Sequence, residues 1–304
     1  MSPTRADQER AAFVALIRMR PKLVEWSAIT EQVFEAGGSA LAVWEELNQP
    51  NLLGPGDYQD VFDQAVVDLQ HWEARGYRLH TFRDRTYPRL LRSVRNPPPV
   101  VFTQGQTVSD ERGVCIVGSR AVSDLGLRFA REVARGAVEA NLSVISGLAL
   151  GVDTAAHVTA LEAGGRTVAV LGNGLGRVYP RPNAALQSEI ARRGMLLSHF
   201  LPDFTANKWS FPARNITMSA FGLATVIVEA GEKSGTRHQA REANQHGRPL
   251  ILTTSVVRTT SWGRDLADKP GVAVVTTPAE AVEQAAQIAH RQAVASSWLA
   301  DAIQ

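Results

Sequence analysis

Five loops hold the residues whose types and spacing suit phosphate chemistry. The first, Gly118-Ser119-Arg120, follows the apolar run Val114-Cys115-Ile116-Val117 and offers a tight turn, a hydroxyl and a guanidinium in succession. Arginine contacts phosphate in bidentate fashion, while backbone N–H groups and Ser119 would complete a cradle. The second, Ser146-Gly147-Leu148-Ala149-Leu150-Gly151-Val152-Asp153, ends another apolar run and leads into Thr154-Ala155-Ala156-His157. Glycines four apart let a ligand approach the backbone closely or permit positive φ, and Asp153 is placed to cap the next helix. Asp153 and His157 could share a helix face as metal ligands, but no second ligand pair accompanies them, so no metal site is expected.

The third loop, Gly172-Asn173-Gly174-Leu175-Gly176, mimics the start of a dinucleotide fingerprint yet runs into Tyr179-Pro180 rather than a helix. A plain NAD dehydrogenase is therefore not expected, and no Walker A pattern supports a P-loop ATPase. The fourth loop is Lys208-Trp209-Ser210-Phe211-Pro212-Ala213-Arg214-Asn215, and the fifth runs from Glu229 through Ser234-Gly235-Thr236, where a helix N-terminus again suits an anion. Between Arg177 and Arg214, Arg177, Arg181, Lys208 and Arg214 mix with Tyr179, Phe200, Phe204, Trp209 and Phe211. Cations that neutralise phosphates and rings that stack on bases are what single-strand binding needs; packing would explain Tyr179 and Phe211 equally well. Glu229 is the one candidate general acid or base, although a carboxylate at such a place more often caps a loop.

Composition narrows the class. The 304 residues carry 32 Lys+Arg against 30 Asp+Glu, a formal net charge of +2, so any anion site must be local. Cys115 is the only cysteine, which excludes an intrachain disulfide and a cysteine metal cluster and points to a reducing cytoplasm. No apolar run approaches the roughly 20 residues of a membrane span, so neither export signal nor anchor is expected.

Regular alternation positions the loops. Strands fit at Val114 to Val117, Leu142 to Ser146, Thr167 to Leu171, Met195 to Ser198, Ala224 to Val228, Pro249 to Leu252 and Val272 to Val275. Helical patterns lie at Leu125 to Ala140, Thr154 to Ala163, Ala184 to Arg193, Thr236 to Gln245 and Pro278 to about Ala295. Strands separated by helix-length segments imply an α/β fold: a doubly wound, mostly parallel sheet covered on both faces. Ahead of it, residues 1–85 read as a small helical domain with Phe13, Leu16, Ile17, Val43, Trp44, Leu47, Val61, Phe62, Ala65, Val66 and Leu69 at helical spacing. Breaks fall at Pro21, at Gly37-Gly38 and over Asn48 to Gly56. Residues 86–112, with Pro97-Pro98-Pro99, read as a stiff connection and an edge strand at Val100 to Phe102. The main domain takes 113–290 and a tail 291–304.

These motifs together resemble the DNA-processing protein A family (DprA, also called Smf), within a Rossmann-like group that includes the LOG nucleotide hydrolases. The resemblance rests on Val117-Gly118-Ser119-Arg120, the Ser146-to-Asp153 loop with Ala156-His157, Ala169 to Leu175, Tyr179-Pro180 with Asn183, Phe211 to Asn215, and Val228-Glu229-Ala230 with Ser234-Gly235-Thr236. It implies a Rossmann-like core that binds single-stranded DNA, commonly as a homodimer, and helps load a RecA-type recombinase during transformation, without a cofactor and without covalent catalysis. It further implies a phosphate pocket led by Arg120, with Gly118, Ser119, Ser146, Gly147, Gly151, Asp153, Gly172, Gly174, Lys208, Arg214, Asn215, Ser234, Gly235 and Thr236 around it. The sequence departs from the family at Leu150, often basic, and at Ser123-Asp124-Leu125-Gly126, which lacks a tyrosine. Ile216 stands where a second arginine is usual, and Thr253 to Pro270, with Arg258, Trp262 and Arg264, replaces a proline-glycine loop. No winged-helix domain is expected after it. The lost charges leave open an alternative, a pocket that binds or hydrolyses a small nucleotide-derived ligand with Glu229 as its acid or base.

Overall fold

The computed structural model describes residues 4–19, 26–48, 58–108 and 110–301. Four helices come first: α1 (Arg5–Met19), α2 (Trp26–Glu35), α3 (Ala40–Leu47) and α4 (Gln59–Ala74). Ala11 to Ile17 are buried without interruption, so this part of α1 is enclosed on all sides instead of presenting one apolar stripe. Phe13, Leu16, Val43, Trp44 and Ala65 join it in the core, whereas Leu47 is 36% exposed and does not. The break at Gly37-Gly38 separates α2 from α3; those expected at Pro21, Pro50 and Gly54 to Gly56 lie outside the described residues.

There follow β1 (Arg78–Thr81), α5 (Arg89–Arg92), β2 (Val100–Gly105), β3 (Gly113–Val117), α6 (Asp124–Glu139), β4 (Ser143–Ser146), α7 (Val152–Glu162) and β5 (Thr167–Val170). The chain continues through α8 (Ala184–Arg193), β6 (Met195–Ser198), α9 (Ser210–Phe221), β7 (Ala224–Ile227), α10 (Thr236–Gln245) and β8 (Leu250–Thr253). It closes with α11 (Thr254–Thr259), α12 (Ser261–Ala267), β9 (Val272–Val275) and α13 (Pro278–Asp301). Among the described residues no helix is long and apolar enough to cross a membrane.

The strands form one sheet in the order β1-β2-β6-β5-β4-β3-β7-β8-β9. From β3 to β9 every pairing is parallel, and β3 to β8 are buried along their whole length. Continuous apolar strands are what a sheet covered on both faces requires. The N-terminal helices share one core with the sheet: Phe13, Trp44 and Trp72 cluster with Phe102, Leu196 and Phe200. Trp72 meets Phe102 edge-on at 5.4 Å.

Two expectations need correction. Val100 to Phe102 is not an edge strand: it lies between β1 and β6 and pairs antiparallel with both. Because β1 has only four residues, of which Arg78 is exposed and Leu79 partly buried, it leaves no alternating pattern long enough to read. The Lys208-to-Asn215 stretch is not a loop, since α9 begins at Ser210. Pro212 falls in its first turn, where a proline removes no helical hydrogen bond, and Asn207 Oδ1 accepts from Trp209 N and Ser210 N, each at 3.1 Å. The segment Thr253 to Pro270, which stands in place of the family's proline-glycine loop, begins with two short helices, α11 and α12, capped by Thr253 and Thr260.

The winding fixes where a ligand would meet the sheet. From β3 the chain builds outward through β4, β5 and β6, then returns to β7 on the other side and continues through β8 and β9. The order therefore reverses between β3 and β7, and in such sheets the crevice beyond the carboxyl ends at that reversal is where ligands sit.

Candidate nucleic-acid interface

At the reversal, the loops after β3 and β7 are stitched together: Ser119 N donates to Glu229 O at 2.8 Å. Ser119 Oγ accepts from Ala121 N at 3.2 Å, which turns the chain and leaves Arg120 pointing outward, exposed. The loop after β4 packs against this turn. Gly151 has φ of 82°, and a Cβ there would meet the carbonyl oxygens of Ser119 and, at 2.7 Å, Arg120. Only glycine tolerates both demands.

Asp153 does not cap α7 as expected; α7 starts at Val152, and the Asp153 carboxylate reaches back to accept from Gly147 N at 3.1 Å and Ala149 N at 3.2 Å. The Gly147 N–H, a candidate for phosphate, and that of Ala149 are thus taken by an internal carboxylate. Arg214 lies beneath the same loop, 5% exposed. Its Nη1 donates to Gly147 O and, at 2.9 Å, to Val170 O, and its Nε donates to Asn215 Oδ1 at 2.9 Å. A Cβ on Gly147 would overlap the guanidinium. Burial pushes the Asp153 carboxyl up, opposed by Arg214 and the loop N–H groups, and burial likewise lowers Arg214, opposed by Asp153. The two charges act as an internal strut that shapes the loop.

A cavity of about 100 Å³ opens above this strut. The structure brings Arg120, Asp153, Arg214, Asn215, Gly235 and Thr236 to its wall. Asn215 Nδ2 donates to Gly235 O at 3.3 Å, joining α9 to the loop before α10. Ser234 sits just outside, where its Oγ accepts from Thr236 N at 3.2 Å and Thr236 Oγ1 at 2.8 Å. Gly118 packs on Val152, Ser146 is fully buried and donates to Ile116 O at 2.6 Å, and Lys208 is exposed beyond the cavity. Gly172 packs on the Phe211 ring, with 2.9 Å available to a Cβ, and Gly174 on the backbone of Leu201 and Pro202. Both are buried, so close chain packing explains these glycines. His238 and Gln239 also line the cavity, although nothing singled them out in the sequence beyond their place in the first turn after Gly235.

Of the candidate cations Arg120, Lys208 and Arg214, Arg120 alone both lines the cavity and is exposed. Its guanidinium stands 5.5 Å from the Phe211 ring centre, and Tyr179, itself 43% exposed, meets Phe211 at 5.2 Å. Cation and rings therefore form one surface at the mouth, suited to a phosphate beside a base. Glu229 faces elsewhere: its carboxylate accepts from Ser123 N at 3.1 Å and Ser123 Oγ at 2.6 Å, at the start of α6. A larger cavity, about 630 Å³, lies between α1, α4 and β1 and includes none of these loops.

His157 and Asp153 do not form a ligand pair. His157 is fully buried with Nδ1 on Thr167 Oγ1 at 2.7 Å, and burial, reinforced by the Arg214 charge, lowers its pKa to about 3. The same causes lower His199 to about 3, and burial lowers His80 to about 4. All three are neutral when folded, whereas the unfolded chain protonates them near pH 6.5. Stability is therefore full above about pH 6.5 and falls as pH drops toward 4, by up to about 1.4 kcal/mol per pH unit for each histidine. Urea titrations at pH 7.5, 6 and 5 should give a falling midpoint; a flat profile would refute neutral burial.

The family model described as DNA recombination-mediator protein A matches residues 78–291. The chain is 36% identical over 188 residues to protein Smf of Synechocystis sp., covering 60% of this chain and 47% of that protein, so the match spans about half the relative's length. The crystal structure of DNA processing protein A from Streptococcus pneumoniae superposes with a TM-score of 0.68 at 25% identity, over 93% of this chain and 98% of that one. DNA processing protein A from Helicobacter pylori, whose structure describes a unique single-stranded DNA binding mode, superposes with a TM-score of 0.60 at 26% identity, over 68% and 95%.

Proposed function

Because the chain belongs to the DNA recombination-mediator protein A family, we propose that it binds single-stranded DNA through the phosphate backbone and acts in DNA processing during recombination and natural transformation. The observation that carries this reading is the exposed Arg120, set over Phe211 beside Tyr179 at the reversal between β3 and β7. A strand crossing the cavity mouth would place a phosphate on Arg120 and an unstacked base against the rings. The small-nucleotide alternative is less well supported. About 100 Å³ is well below the roughly 300 Å³ at which small-molecule pockets begin, and Glu229 is engaged by Ser123. We read the chain as a binding protein and not an enzyme, acting in the cytoplasm, as a homodimer, and passing its strand to a RecA-type recombinase.

Arg120→Ala tests the site. Fluorescence anisotropy with an unstructured oligonucleotide at several salt concentrations should show affinity reduced about five-fold or more near 0.1 M salt, and a log–log salt slope flatter by about 0.7. The fold should be unaffected, because the side chain is exposed. Affinity and slope equal to those of the parent would remove Arg120 from the interface.

A further inference from the structure

The turn that carries Arg120 belongs to no helix or strand. β3 ends at Val117 and α6 begins at Asp124, so residues 118–123 depend on contacts from other segments for their shape. Arg120 and Ala121, at the middle of the turn, are exposed and have no core to rest on. A segment of this kind that lacked such contacts would sample many conformations, and a phosphate bound through Arg120 would have to order it first.

One residue holds both ends of the turn. Glu229 follows β7, and its main-chain oxygen accepts from Ser119 N at 2.8 Å. Its carboxylate accepts from Ser123 N at 3.1 Å and from Ser123 Oγ at 2.6 Å. Arg120 therefore stands between two points fixed by the backbone and the side chain of a single residue. Ser123 in turn caps α6, its Oγ accepting from Gly126 N at 3.1 Å, so the carboxylate also joins the turn to the start of a 16-residue helix. Position 126 is glycine where this tie needs room: a Cβ there would lie 2.6 Å from both Glu229 Oε2 and Val122 Cγ2. From the opposite side, Val152 N donates to Ser119 O at 3.3 Å.

The charge on Glu229 has the wrong sign for a phosphate contact. A carboxylate that acted on a bound strand only through its field would repel it, whereas one that fixes the turn would favour binding. Removing the carboxylate therefore has opposite effects in the two cases, tighter binding from the lost repulsion and weaker binding from a loosened turn.

We propose that Glu229 is the positioning residue of the single-strand site: holding Ser119 through its backbone and Ser123 through its carboxylate, it presents Arg120 at the cavity mouth over Phe211; this rests on the single-stranded DNA reading above. An arginine ordered in advance spares the strand the entropy of ordering it on binding.

Anisotropy with the full chain and an unstructured deoxythymidylate oligonucleotide tests this. Glu229→Ala removes the carboxylate and keeps the main-chain bond to Ser119; it should weaken binding by about two- to ten-fold, and by no more than Arg120→Ala does. Glu229→Gln keeps an oxygen for Ser123 N and an amide for Ser123 Oγ, and should bind at least as tightly as the parent. In the Arg120→Ala background Glu229→Ala should bring no further loss, because no arginine is left to position. Gly126→Ala leaves Glu229 in the chain but puts a Cβ where its carboxylate lies; affinity should fall by a similar factor in a protein that still unfolds cooperatively, and this variant decides the matter if Glu229→Ala does not fold. Parental or tighter binding by Glu229→Ala, a Glu229→Gln protein as weak as Glu229→Ala, or losses that add in the double variant would each overturn the positioning role and leave Arg120 in the interface. Parental affinity in Gly126→Ala would overturn it as well. If Arg120→Ala itself binds as the parent does, the single-strand reading of the cavity fails instead.

Discussion

Arg214→Met should destabilise the protein by about 3–5 kcal/mol, the range for removing one partner of a buried charge pair. The guanidinium is 5% exposed and supplies the hydrogen bonds of Gly147 O, Val170 O and Asn215 Oδ1. Methionine fills much of the volume and satisfies none of them, leaving two carbonyls and the Asp153 carboxylate without their cation. Arg214→Lys should recover little, because an ammonium cannot span three acceptors laid out for a planar fork. Adding Asp153→Asn to Arg214→Met should restore part of the loss, since the uncompensated charge disappears. A double-mutant cycle by urea unfolding reads the coupling, expected at about 1–3 kcal/mol. Strict additivity would mean that the two side chains do not act as a strut. The contrast with Arg120→Ala is the sharper test: loss of Arg214 should lower stability, and loss of Arg120 should lower affinity alone.

Gly151→Val should cost about 2–5 kcal/mol and abolish the Arg120 contribution to binding. Two penalties combine here. The residue sits at φ 82° and ψ −125°, where a side chain is strained by about 1–3 kcal/mol, and the new Cβ would meet the Ser119 and Arg120 carbonyls, adding an overpacking cost of similar size. The turn cannot relieve the clash without moving Arg120 away from Phe211. Gly231→Ala is the matched control: its Cβ meets nothing within 4 Å, so its effect should stay within about 0.5 kcal/mol. Thermal unfolding and DNA binding of the two variants should separate cleanly. A Gly151→Val protein as stable as Gly231→Ala would show that the two loops do not touch.

The sequence alone was enough for the sheet and for the order of its loops, for a physical reason. A strand buried on both faces leaves little room for polar side chains, so Val114 to Val117 are apolar throughout, Met195 to Ser198 and Ala224 to Ile227 carry one small polar residue each, and all three stand out between helix-length segments. Arg120 was legible for a similar reason, as the one cation placed directly on a turn that ends such a strand. What only the tertiary structure decided is the direction in which each polar group faces. Local spacing makes Arg214 and Asp153 candidates beside Arg120, yet burial turns these two inward to hold Gly147 and Ala149 and leaves Arg120 outside. Glu229 is likewise engaged from afar, by Ser123, a residue 106 positions away in the chain. The glycines divided in the same way, Gly151 serving the contact between two loops and Gly172 and Gly174 the packing of buried chain. The hydrogen bonds that hold Arg214 and Glu229 come from segments far apart in the chain, and no local pattern encodes them.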